Sequence, residues 1–522
     1  MSRKLPIGIQ GFEKLRTENF LYVDKTKYIY ELVHNNVPYF LSRPRRFGKS
    51  LLLSAIRAYW DGRKDLFAGL YIEEMEAGNT EAWKSYPVFY FDFNGENYQD
   101  ADLENVLGSM IEDWEDDYGS RYKGRTLGER FQKVLEIAYQ KTGLRCVVLV
   151  DEYDKPLLDT VDDPERHEHN KKIFKGFFSR LKKADEYIQF VFITGVSRFH
   201  KVSIFSDLNQ LRDISLSEKY SAICGITNDE LLGSFGQEID FLAQMQNMDR
   251  SECLQQLKQT YDGYRFHPDG EEVYNPYSLL NSFADGEFGS YWFATGTPSF
   301  LISKLRRDCF DVRKLDNRTI YASESDLRDY TGDIENPITL LYQTGYLTIS
   351  DYDKRLKRYT LSFPNEEVKY SFLESLLPSY VPQATAGNGL DIFTLNDYIE
   401  NGQLEGIRNV LTALFASISY TVEDDPFEHY FQSVIYVIFT LLGKFVLCEM
   451  HTYKGRIDCK VETGKYIYLF EFKRDDSAKS ALAQIDSNDY ALPFAADSRK
   501  IFKIGVSFDT ETRKLVEWEV AG

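Results

Sequence analysis

The sequence predicts an α/β protein of several domains, and three observations carry this prediction. The chain has 522 residues, 43% of them hydrophobic and 15% aromatic, whereas a single hydrophobic core stops growing at roughly 250 to 300 residues. Near the N-terminus, an apolar strand pattern runs into a glycine-containing turn and then into a helical pattern. Near the C-terminus, two strand patterns stand between two helical patterns. Two or three domains are therefore expected.

Charge and composition limit the classes of function. The chain carries 62 Lys and Arg against 81 Asp and Glu, a net charge of -19, which argues against non-specific polyanion binding by the whole molecule but leaves room for a local basic groove. The start MSRKLPIGIQGF lacks the apolar run of a signal peptide, and no stretch of about 18 apolar residues follows. We expect a soluble, cytoplasmic protein without membrane contact. The six cysteines lack C-x-x-C spacing, which indicates reduced thiols and no zinc site.

The first chemical motif is RPRRFGKS at residues 43–50. The sequence VPYFLS before it has the pattern of a buried strand. After it, apolar residues recur at helical spacing: Leu51, Leu52, Ala55, Ile56 and Tyr59. The end of the octet, Gly48-Lys49-Ser50, matches the end of the phosphate-binding pattern G-x-x-x-x-G-K-[ST]. We therefore expect the loop amides and Lys49 to bind the phosphates of ATP, and Ser50 to coordinate Mg²⁺.

The loop departs from that pattern in its arginines. Arg43 occupies the position of the first glycine, which often needs unusual backbone angles, and Pro44-Arg45-Arg46 follows. We expect this turn to take a different shape, and Arg45, Arg46 and Gly48 to contribute to the nucleotide site. The alternative interpretation is a basic turn that caps a core helix.

A second segment, LRCVVLVDEYDKPLL, favours the nucleotide site. Its apolar run from Cys146 to Val150 is typical of a central parallel strand, and the run ends in Asp151-Glu152. Asp151 is expected to hold Mg²⁺ through water, and Glu152 to polarise the attacking water. Acids that merely cap a strand are the alternative, but the Gly-Lys-Ser motif earlier in the chain favours a Walker B strand.

Two more strand patterns complete the predicted sheet. They cover Tyr86 to Gly95 and Ile188 to Phe199, and helical patterns alternate with them, so we expect a parallel sheet. Thr194 falls at the end of the second pattern, where ATPases of the additional-strand type place a polar sensor beside the γ-phosphate. Ser197 and Arg198 are further candidates for that task, although Arg198 is equally compatible with a surface arginine.

The middle of the chain predicts two smaller units. Residues 214–315 show short helical patterns, interpreted as a lid on the ATPase core, with Thr227 or Asn228 capping one helix. Residues 316–385 show a helix, a strand, a charged turn and a second strand, which is the order of a winged helix. Such a unit either binds DNA or, as we favour here, senses the nucleotide state or contacts another domain.

The C-terminal sequence GRIDCKVETGKYIYLFEFKRDD predicts a β-hairpin that closes near Gly464. The period-two alternation of a strand places Glu471 and Lys473 on one face, and Asp458 on the partner strand can approach that face. Two carboxylates and a lysine suit a bound Mg²⁺ and the activation of a water that attacks a phosphodiester. The alternative is an exposed strand face with alternating charge.

The elements around this hairpin favour the catalytic interpretation. A strongly apolar helix with Glu428 near its start precedes the hairpin, and a helix with Gln484 follows it. This order is that of a PD-(D/E)XK nuclease core, so we expect a restriction-endonuclease-like α/β domain. Between Met450 and Asp476, six Lys or Arg accompany five Asp or Glu, which is not a strong basic patch.

With these residues assembled, the chain resembles a bacterial family of AAA-ATPase-like proteins with a C-terminal PD-(D/E)XK nuclease-superfamily domain. The segments that carry the resemblance include LPIGIQGFEKLRTENFLYVDKT, SRPRRFGKSLLL, VVLVDEYDKPL, YDGYRF, YNPYSLLNSF and GRIDCKVETGKYIYLFEFK. In that family, the arginine-rich loop without the first glycine is the usual form, which implies a nucleotide site. We assign residues 1–213 to the ATPase-like domain, 214–315 to the lid, 316–385 to the winged-helix-like unit and 386–522 to the nuclease-like domain.

Two functions from different classes are compatible with these motifs. The first is an ATP-binding and ATP-hydrolysing protein whose nucleotide state controls a Mg²⁺-dependent nuclease-like domain acting on DNA or RNA. The second is a nucleotide switch of the STAND type, in which nucleotide exchange drives homo-oligomerisation and the C-terminal domain only binds. ATP and Mg²⁺ are the expected cofactors, and nucleic acid is the expected partner of the C-terminal domain.

Overall fold

The computed structural model describes most of the chain and divides it into two compact units. The described residues are 4–35, 37–119, 125–199, 211–293, 301, 305, 310, 312–315, 320–328, 337–380, 392–416, 427–443, 447–450, 457–509 and 514–522. The first unit comprises Met1–Gly296 with Arg318–Val368, and the second comprises Thr297–Asn317 with Lys369–Gly522. The finer boundaries at residues 213, 315 and 385 stay a prediction.

The main sheet of the first unit is parallel, as predicted. Its strands are β1 (Tyr39–Ser42), β2 (Val88–Asp92), β3 (Cys146–Asp151), β4 (Ile188–Gly195) and β5 (Arg212–Asp213). They lie in the order β2-β3-β4-β1-β5, and every neighbouring pair is parallel. Strand β4 therefore lies between β1, which precedes the loop that contains Gly48-Lys49-Ser50 (the GKS loop, residues 43–50), and β3, which ends in Asp151. The carboxyl ends of parallel strands meet at one edge of a sheet, which brings these two motifs together.

Helices alternate with these strands because apolar residues recur at helical spacing between them. They are α1 (Phe12–Thr17), α2 (Thr26–Val33), α3 (Lys49–Trp60), α4 (Tyr71–Met75), α5 (Leu103–Tyr118), α6 (Leu127–Thr142), α7 (Lys155–Leu158) and α8 (Pro164–Phe178). Strand β3 is buried at all of its positions, which is what its uninterrupted apolar run predicts for a central strand. The sheet and these helices form the part of the unit that positions the GKS loop.

A second layer of helices follows the main sheet. It contains α9 (Asn228–Ser234), α10 (Gly236–Met245), α11 (Arg250–Tyr261) and α12 (Pro276–Asp285), with the short antiparallel pair β6 (Ile226–Thr227) and β7 (Val273–Tyr274). Thr227 caps α9, and its hydroxyl accepts the amide of Glu230 at 3.2 Å. The helices share a core that includes Leu231, Phe235 and Leu257. Their interpretation as a lid stays a prediction.

The last part of the first unit is a three-stranded antiparallel sheet. Its elements are β8 (Ile320–Ala322), α13 (Glu324–Arg328), α14 (Pro337–Thr344), β9 (Thr348–Asp353) and β10 (Arg358–Ser362), in the strand order β8-β10-β9. The predicted order of helix, strand, turn and strand is present in α14, β9 and β10. Helix α15 (Glu366–Tyr380) begins in this unit and runs into the second one. The winged-helix interpretation stays a prediction.

The second unit contains a five-stranded mixed sheet. Its strands are β11 (Leu447–Met450), β12 (Cys459–Glu462), β13 (Tyr466–Arg474), β14 (Lys500–Asp509) and β15 (Lys514–Ala521), which lie in chain order. Its helices are α16 (Ile392–Glu400), α17 (Leu404–Ala416), α18 (Phe427–Leu442) and α19 (Ala478–Ser487). Helix α19 connects β13 and β14, which are parallel, whereas the other neighbouring strands are antiparallel.

The structure describes four of the six cysteine side chains. Within the described part of the chain, Cys146, Cys224, Cys253 and Cys459 are buried and free of disulfides. The side chains of Cys309 and Cys448 lie outside the described residues. No helix in the described ranges has both the length and the apolar character needed to span a bilayer.

Candidate functional site

The GKS loop connects β1 to α3 in the six residues after Ser42. Two of its residues have left-handed backbone conformations, Arg46 with φ 67° and Gly48 with φ 94°. Glycine adopts such angles at no steric cost, which explains Gly48, whereas Arg46 is held in a conformation that side chains disfavour. The amides of the first turn of α3 have no partner within the helix and are therefore available to an anion.

Arg43, which stands where the first glycine is expected, is a buried structural residue. It is 1% exposed, and its guanidinium donates to the backbone oxygens of Ser42 at 2.8 Å, Ser215 at 2.8 Å and Tyr220 at 3.0 Å. Its charge also lies 4.0 Å from the centre of the Phe266 ring, a favourable cation–π distance. Arg43 therefore stabilises the loop through contacts with buried backbone oxygens. It is not among the residues that line the cavity described below.

Lys49 lies in the concave side of the loop. It is 4% exposed, and its Nζ donates to the backbone oxygens of Arg43 and Pro44, each at 2.9 Å. An ammonium held there is a point charge surrounded by carbonyl oxygens, and phosphate oxygens are stronger acceptors for it.

Asp151 is the last residue of β3 and is buried beside two hydroxyl groups. The hydroxyl of Thr194 on β4 donates to Asp151 Oδ1 at 2.6 Å, and the hydroxyl of Tyr90 lies 3.3 Å from Oδ2. Thr194 also accepts the amide of Glu152 at 3.3 Å. The predicted sensor Thr194 thus contacts the Walker B pair directly in this structure.

Glu152, the residue after β3, has the left-handed φ of 51°. This unusual angle turns the chain sharply at the edge of the sheet, and the Glu152 side chain lines the cavity above the loop. Burial raises the pKa of its carboxyl above the ordinary value, while the charge of Lys49 opposes that rise. A carboxyl with a raised pKa next to a phosphate loop suits a proton acceptor for water.

Six of the predicted nucleotide residues surround one cavity of about 400 Å³. Its lining includes Arg45, Arg46, Gly48, Lys49, Ser50 and Glu152. Asp151 and Thr194 are hydrogen-bonded to each other but are not part of the lining. The structure therefore brings together the residues that the two sequence motifs identified separately.

The other walls of this cavity were not predicted from the sequence. One wall is the N-terminal segment with Pro6, Gly8, Ile9 and Gln10, and another comes from α12 with Pro276, Tyr277 and Leu280. Asn94 and Lys155 also contribute. The segments LPIGIQGF and YNPYSLLNSF were visible as motifs, but nothing in their spacing indicated that they meet the GKS loop.

A smaller apolar cavity of about 100 Å³ adjoins the first one. The two share Pro6, Gly48, Leu51, Pro276 and Leu280. The rest of its lining is mainly apolar, with Tyr22, Lys25 and Cys224 as the residues that carry polar groups: Leu15, Leu21, Tyr22, Val23, Lys25, Phe47, Leu52, Ile223, Cys224, Gly225, Ile226 and Phe235. An apolar recess next to a phosphate loop is suited to a planar base.

Asp154 is a buried acid whose role the sequence pattern did not indicate. It is hydrogen-bonded by the amide of Val196 at 3.0 Å and by the amide and hydroxyl of Ser197 at 2.6 and 2.9 Å. It therefore holds the chain where it leaves β4. Ser197 is occupied by this contact and Arg198 forms an ion pair with Asp213 at 3.1 Å. Neither of these two sensor candidates lines the cavity.

The second unit assembles a different group of side chains on the β12–β13 hairpin. Asp458 lies one residue before β12, and its Oδ2 accepts the amide of Phe472 at 2.9 Å. The amide of Asp458 donates in turn to Glu471 Oε2 at 3.4 Å. Lys473 Nζ lies 3.4 Å from Glu471 Oε1. The antiparallel pairing of β12 with β13 thus brings Asp458, Glu471 and Lys473 together.

The two carboxylates of this group are electrostatically strained. Burial, and secondly the charge of Asp458, raise the pKa of Glu471 to about 7. Burial also raises the pKa of Asp458 above its ordinary value. A bound cation stabilises two buried carboxylates that repel each other, because its positive charge favours the ionised form of both. Oxygen ligands of this kind fit Mg²⁺, which completes its shell with water.

Helix α19 adds a fourth member to this group. Gln484 accepts a hydrogen bond from Lys473 through its Oε1, which orients the lysine beside Glu471. The side chain of Glu428 lies outside the described residues. In the ranges that the structure covers, no cluster of three or more His, Cys, Asp or Glu side chains is arranged to hold a metal, so a cation here would rely on two carboxylates.

Comparisons with known proteins match the two units separately. Residues 6–205 match the AAA-ATPase-like family described as "Predicted AAA-ATPase". Residues 426–518 match the PD-(D/E)XK nuclease superfamily. The first match contains the GKS loop and the Walker B strand, and the second contains Asp458, Glu471 and Lys473.

The similarity extends over the whole chain in one relative. It is the "Uncharacterized protein in vnfD 5'region" of Azotobacter chroococcum mcd 1, which is 37% identical over 537 residues and aligned over 100% of this chain and 99% of its own. A solved structure of the Aeropyrum pernix ORC2 protein covers 69% of this chain and 97% of its own, with 11% identity and a TM-score of 0.25. That likeness is too low to bear on the site.

The chain belongs to the family of AAA-ATPase-like proteins that carry a C-terminal PD-(D/E)XK nuclease-superfamily domain.

Proposed function

We propose that this protein binds ATP with Mg²⁺, hydrolyses it, and uses its nucleotide state to control a metal-dependent nuclease domain that cleaves DNA or RNA. The observation that carries the ATP part is the cavity lined by Lys49, Ser50 and Glu152, with Asp151 adjacent to Glu152 at the end of β3. The observation that carries the nuclease part is the convergence of Asp458, Glu471 and Lys473.

The phosphate chemistry divides among the residues of the larger cavity. Lys49 and the amides of the loop would bind the β and γ phosphates, and Ser50 with Asp151 would hold Mg²⁺. Glu152 would orient and deprotonate the attacking water, since its carboxyl lines the cavity and has a raised pKa. Arg45 and Arg46 add positive charge at the mouth, where Arg46 lies 4.9 Å from the ring centre of Tyr277.

The smaller cavity would take the base. Its lining is apolar apart from Tyr22, Lys25 and Cys224, and it includes Gly48 and Leu51 at the start of α3. Lys25 is occupied by Glu230, whose two carboxylate oxygens lie 2.7 and 2.6 Å from its Nζ. An apolar recess of this kind would bury the faces of the ATP base.

The nuclease chemistry would use the group on β13. Asp458 and Glu471 would hold a divalent cation, which supplies Lewis acidity and a more acidic water. Lys473, kept in place by Gln484 and Glu471, would position that water and stabilise charge on the phosphate. The Lys473 ammonium would interact with the negatively charged phosphodiester and not with the metal ion, because the ammonium and the metal ion are both positively charged.

A chain of contacts supports the proposed control. The indole Nε1 of Trp292 donates to the backbone oxygen of Arg45 in the loop at 3.0 Å. The amide of Trp292 donates to Glu367 at 2.8 Å. Glu367 lies in the first turn of α15, the helix that continues to Tyr380 in the second unit. A shift of the loop on nucleotide binding would therefore act on the start of that helix.

One observation favours the STAND-type switch with a non-catalytic C-terminal domain. Residues 426–518 contain 13 Lys or Arg and 13 Asp or Glu, so this segment carries no net positive charge that would attract a polyanion. A binding domain for protein partners would have no need of one.

ATP binding and hydrolysis are tested on the full chain by calorimetry and by phosphate release. Lys49→Ala should abolish detectable ATP binding, whereas Glu152→Gln should keep the affinity and lose hydrolysis. Lys84→Ala removes a partly exposed lysine that pairs with Glu81, and it serves as the control that should leave both properties unchanged. ATP binding by Lys49→Ala at the wild-type affinity would contradict the assignment of the loop.

The nuclease assignment is tested with labelled DNA and RNA, with and without a non-hydrolysable ATP analogue. Lys473→Ala should abolish cleavage, whereas Lys465→Ala, an exposed lysine in the turn of the same hairpin, should not. Absence of cleavage under every condition, combined with an ATP-dependent change of oligomeric state by light scattering, would favour the STAND-type switch.

A further inference from the structure

The β9–β10 hairpin concentrates positive charge in an otherwise acidic chain. Four of the five residues from Lys354 to Arg358 are basic, in a protein of net charge -19. They occupy the turn and the start of β10. The fifth residue, Leu356, is 49% exposed, although it is a large apolar side chain with no functional role in either proposed site.

The turn is held by the side chain of Asp353, which accepts two of the backbone amides of the turn. Asp353 Oδ1 accepts the amides of Arg355 at 2.9 Å and Leu356 at 3.0 Å. Lys357 follows in the left-handed region with φ 50°. An ordered tip presents its side chains at little conformational cost on binding.

The charges of this tip are largely available to a partner. Arg355 and Lys357 are exposed, and neither has an ion pair with any residue that the structure describes. Lys354 lies 3.2 Å from the exposed Asp269, a distance at which a surface pair contributes little. Asp351 and Asp353 on β9 are the nearest acids in the sequence, and Asp353 is engaged by the turn amides.

An exposed aromatic ring adjoins the basic tip. The guanidinium of Arg358 lies 4.0 Å from the ring centre of Tyr321, and Tyr321 is 52% exposed. Tyr321 is on β8, opposite Thr360 of β10. The hairpin thus offers cations, a flat ring and an apolar side chain on neighbouring positions of one small sheet.

We propose, against the preference drawn from the sequence of this unit, that its basic tip, residues 354–358 together with Tyr321, is a nucleic-acid-binding surface. The cations match a phosphodiester backbone, while Tyr321 and Leu356 match the faces of unpaired or unstacked bases. An acidic protein surface could also satisfy the cations, but a nucleic acid presents a planar base beside every phosphate, which matches cations next to an exposed ring. The inference rests on the proposed nucleic-acid-directed function, and it assigns nucleic-acid binding to a part of the chain other than the charge-balanced nuclease-like segment.

The test measures binding without cleavage. Fluorescence anisotropy is recorded in EDTA for full-length protein with a fluorescein-labelled single-stranded DNA, its duplex and an RNA of the same sequence, over a series of salt concentrations. The variant is Arg355→Glu with Lys357→Glu. The control is Lys172→Glu with Lys175→Glu, which makes the same charge change on exposed lysines of α8 that lack an ion pair among the described residues.

The hairpin variant should weaken binding and reduce the slope of log affinity against log salt by about 2, since two phosphate contacts are lost. Leu356→Ala should weaken single-strand binding and leave that slope unchanged. If the hairpin variant unfolds, Arg355→Gln with Lys357→Gln replaces it. The inference is overturned if the wild-type protein binds no nucleic acid, or if the hairpin and control variants lose equal affinity. Wild-type binding without cleavage in Mg²⁺ would contradict the nuclease proposal alone.

Discussion

Glu367 offers a test of the contacts around the GKS loop. This carboxylate is 4% exposed. Its Oε1 accepts the hydroxyl of Ser278 at 3.0 Å and the amide of Trp292 at 2.8 Å. Its Oε2 is buried without a hydrogen-bond partner among the described residues. We predict that Glu367→Gln, which keeps the accepting oxygen and removes the charge, changes the pH dependence of stability.

The magnitude follows from the pKa of the buried carboxyl. Burial raises the pKa of Glu367 from 4.5 to about 7, against the opposing effect of its hydrogen bonds. Between these values, the folded protein holds a proton that the unfolded chain has lost, so stability falls as the pH rises. At about 1.4 kcal/mol for each tenfold change in proton affinity, the wild-type protein loses about 3 kcal/mol between pH 4.5 and 7. The Gln variant lacks this loss.

The assay is urea unfolding followed by tryptophan fluorescence at pH values from about 5 to 8. Four of the five tryptophans, Trp60, Trp83, Trp114 and Trp292, lie in the first unit, so the signal reports mainly on that unit. The free energy of unfolding of Glu367→Gln minus that of the wild type should increase by about 2 to 3 kcal/mol from pH 5 to pH 8. Glu366→Gln, which changes the exposed neighbour, is the matched control.

The comparison isolates Glu367 from other groups that titrate in the same range. Burial raises the pKa of Asp262 to about 6, and this group is present in all three proteins, so its effect cancels. Parallel curves for the wild type and Glu367→Gln would refute the reasoning. They would mean that the charged carboxylate is stabilised in the fold as well as it is in water.

Three further predictions concern both units. Arg43→Gly restores the glycine of the phosphate-loop pattern. It should nevertheless destabilise the first unit by about 3 kcal/mol or more in the same assay, because the backbone oxygens bound by Arg43 lose their partner. An unchanged unfolding midpoint would contradict the structural role of Arg43. Mg²⁺ or Mn²⁺ should stabilise the second unit of the nucleotide-free protein by about 2.7 kcal/mol at a hundredfold excess over Kd, and Asp458→Asn should remove this shift in thermal melts. Lys473→Ala should keep much of that metal response, and loss of the response in this variant would make the lysine part of the ion site.

The elements of the fold that could be predicted from the sequence are those with a local pattern. The buried run of β3, the helical spacing after Ser50 and the alternation around Glu471 each follow from the period of one element. The GKS loop and the Asp151-Glu152 pair are also contiguous in the chain. Their meeting at one edge of a parallel sheet follows from a general rule of α/β topology, so it was predictable without coordinates.

The remaining features of the sites depend on contacts between distant positions, which no local pattern encodes. Pro6 and Tyr277 meet the GKS loop only because of how the first unit packs. Arg43 departs from the phosphate-loop pattern, and the reason lies in the fold, because its guanidinium donates to the backbone oxygens of Ser215 and Tyr220. The sequence by itself determined which residues have the chemistry for phosphate and metal. The tertiary structure decided which of them share a cavity, because burial and hydrogen bonding are set by neighbours far along the chain.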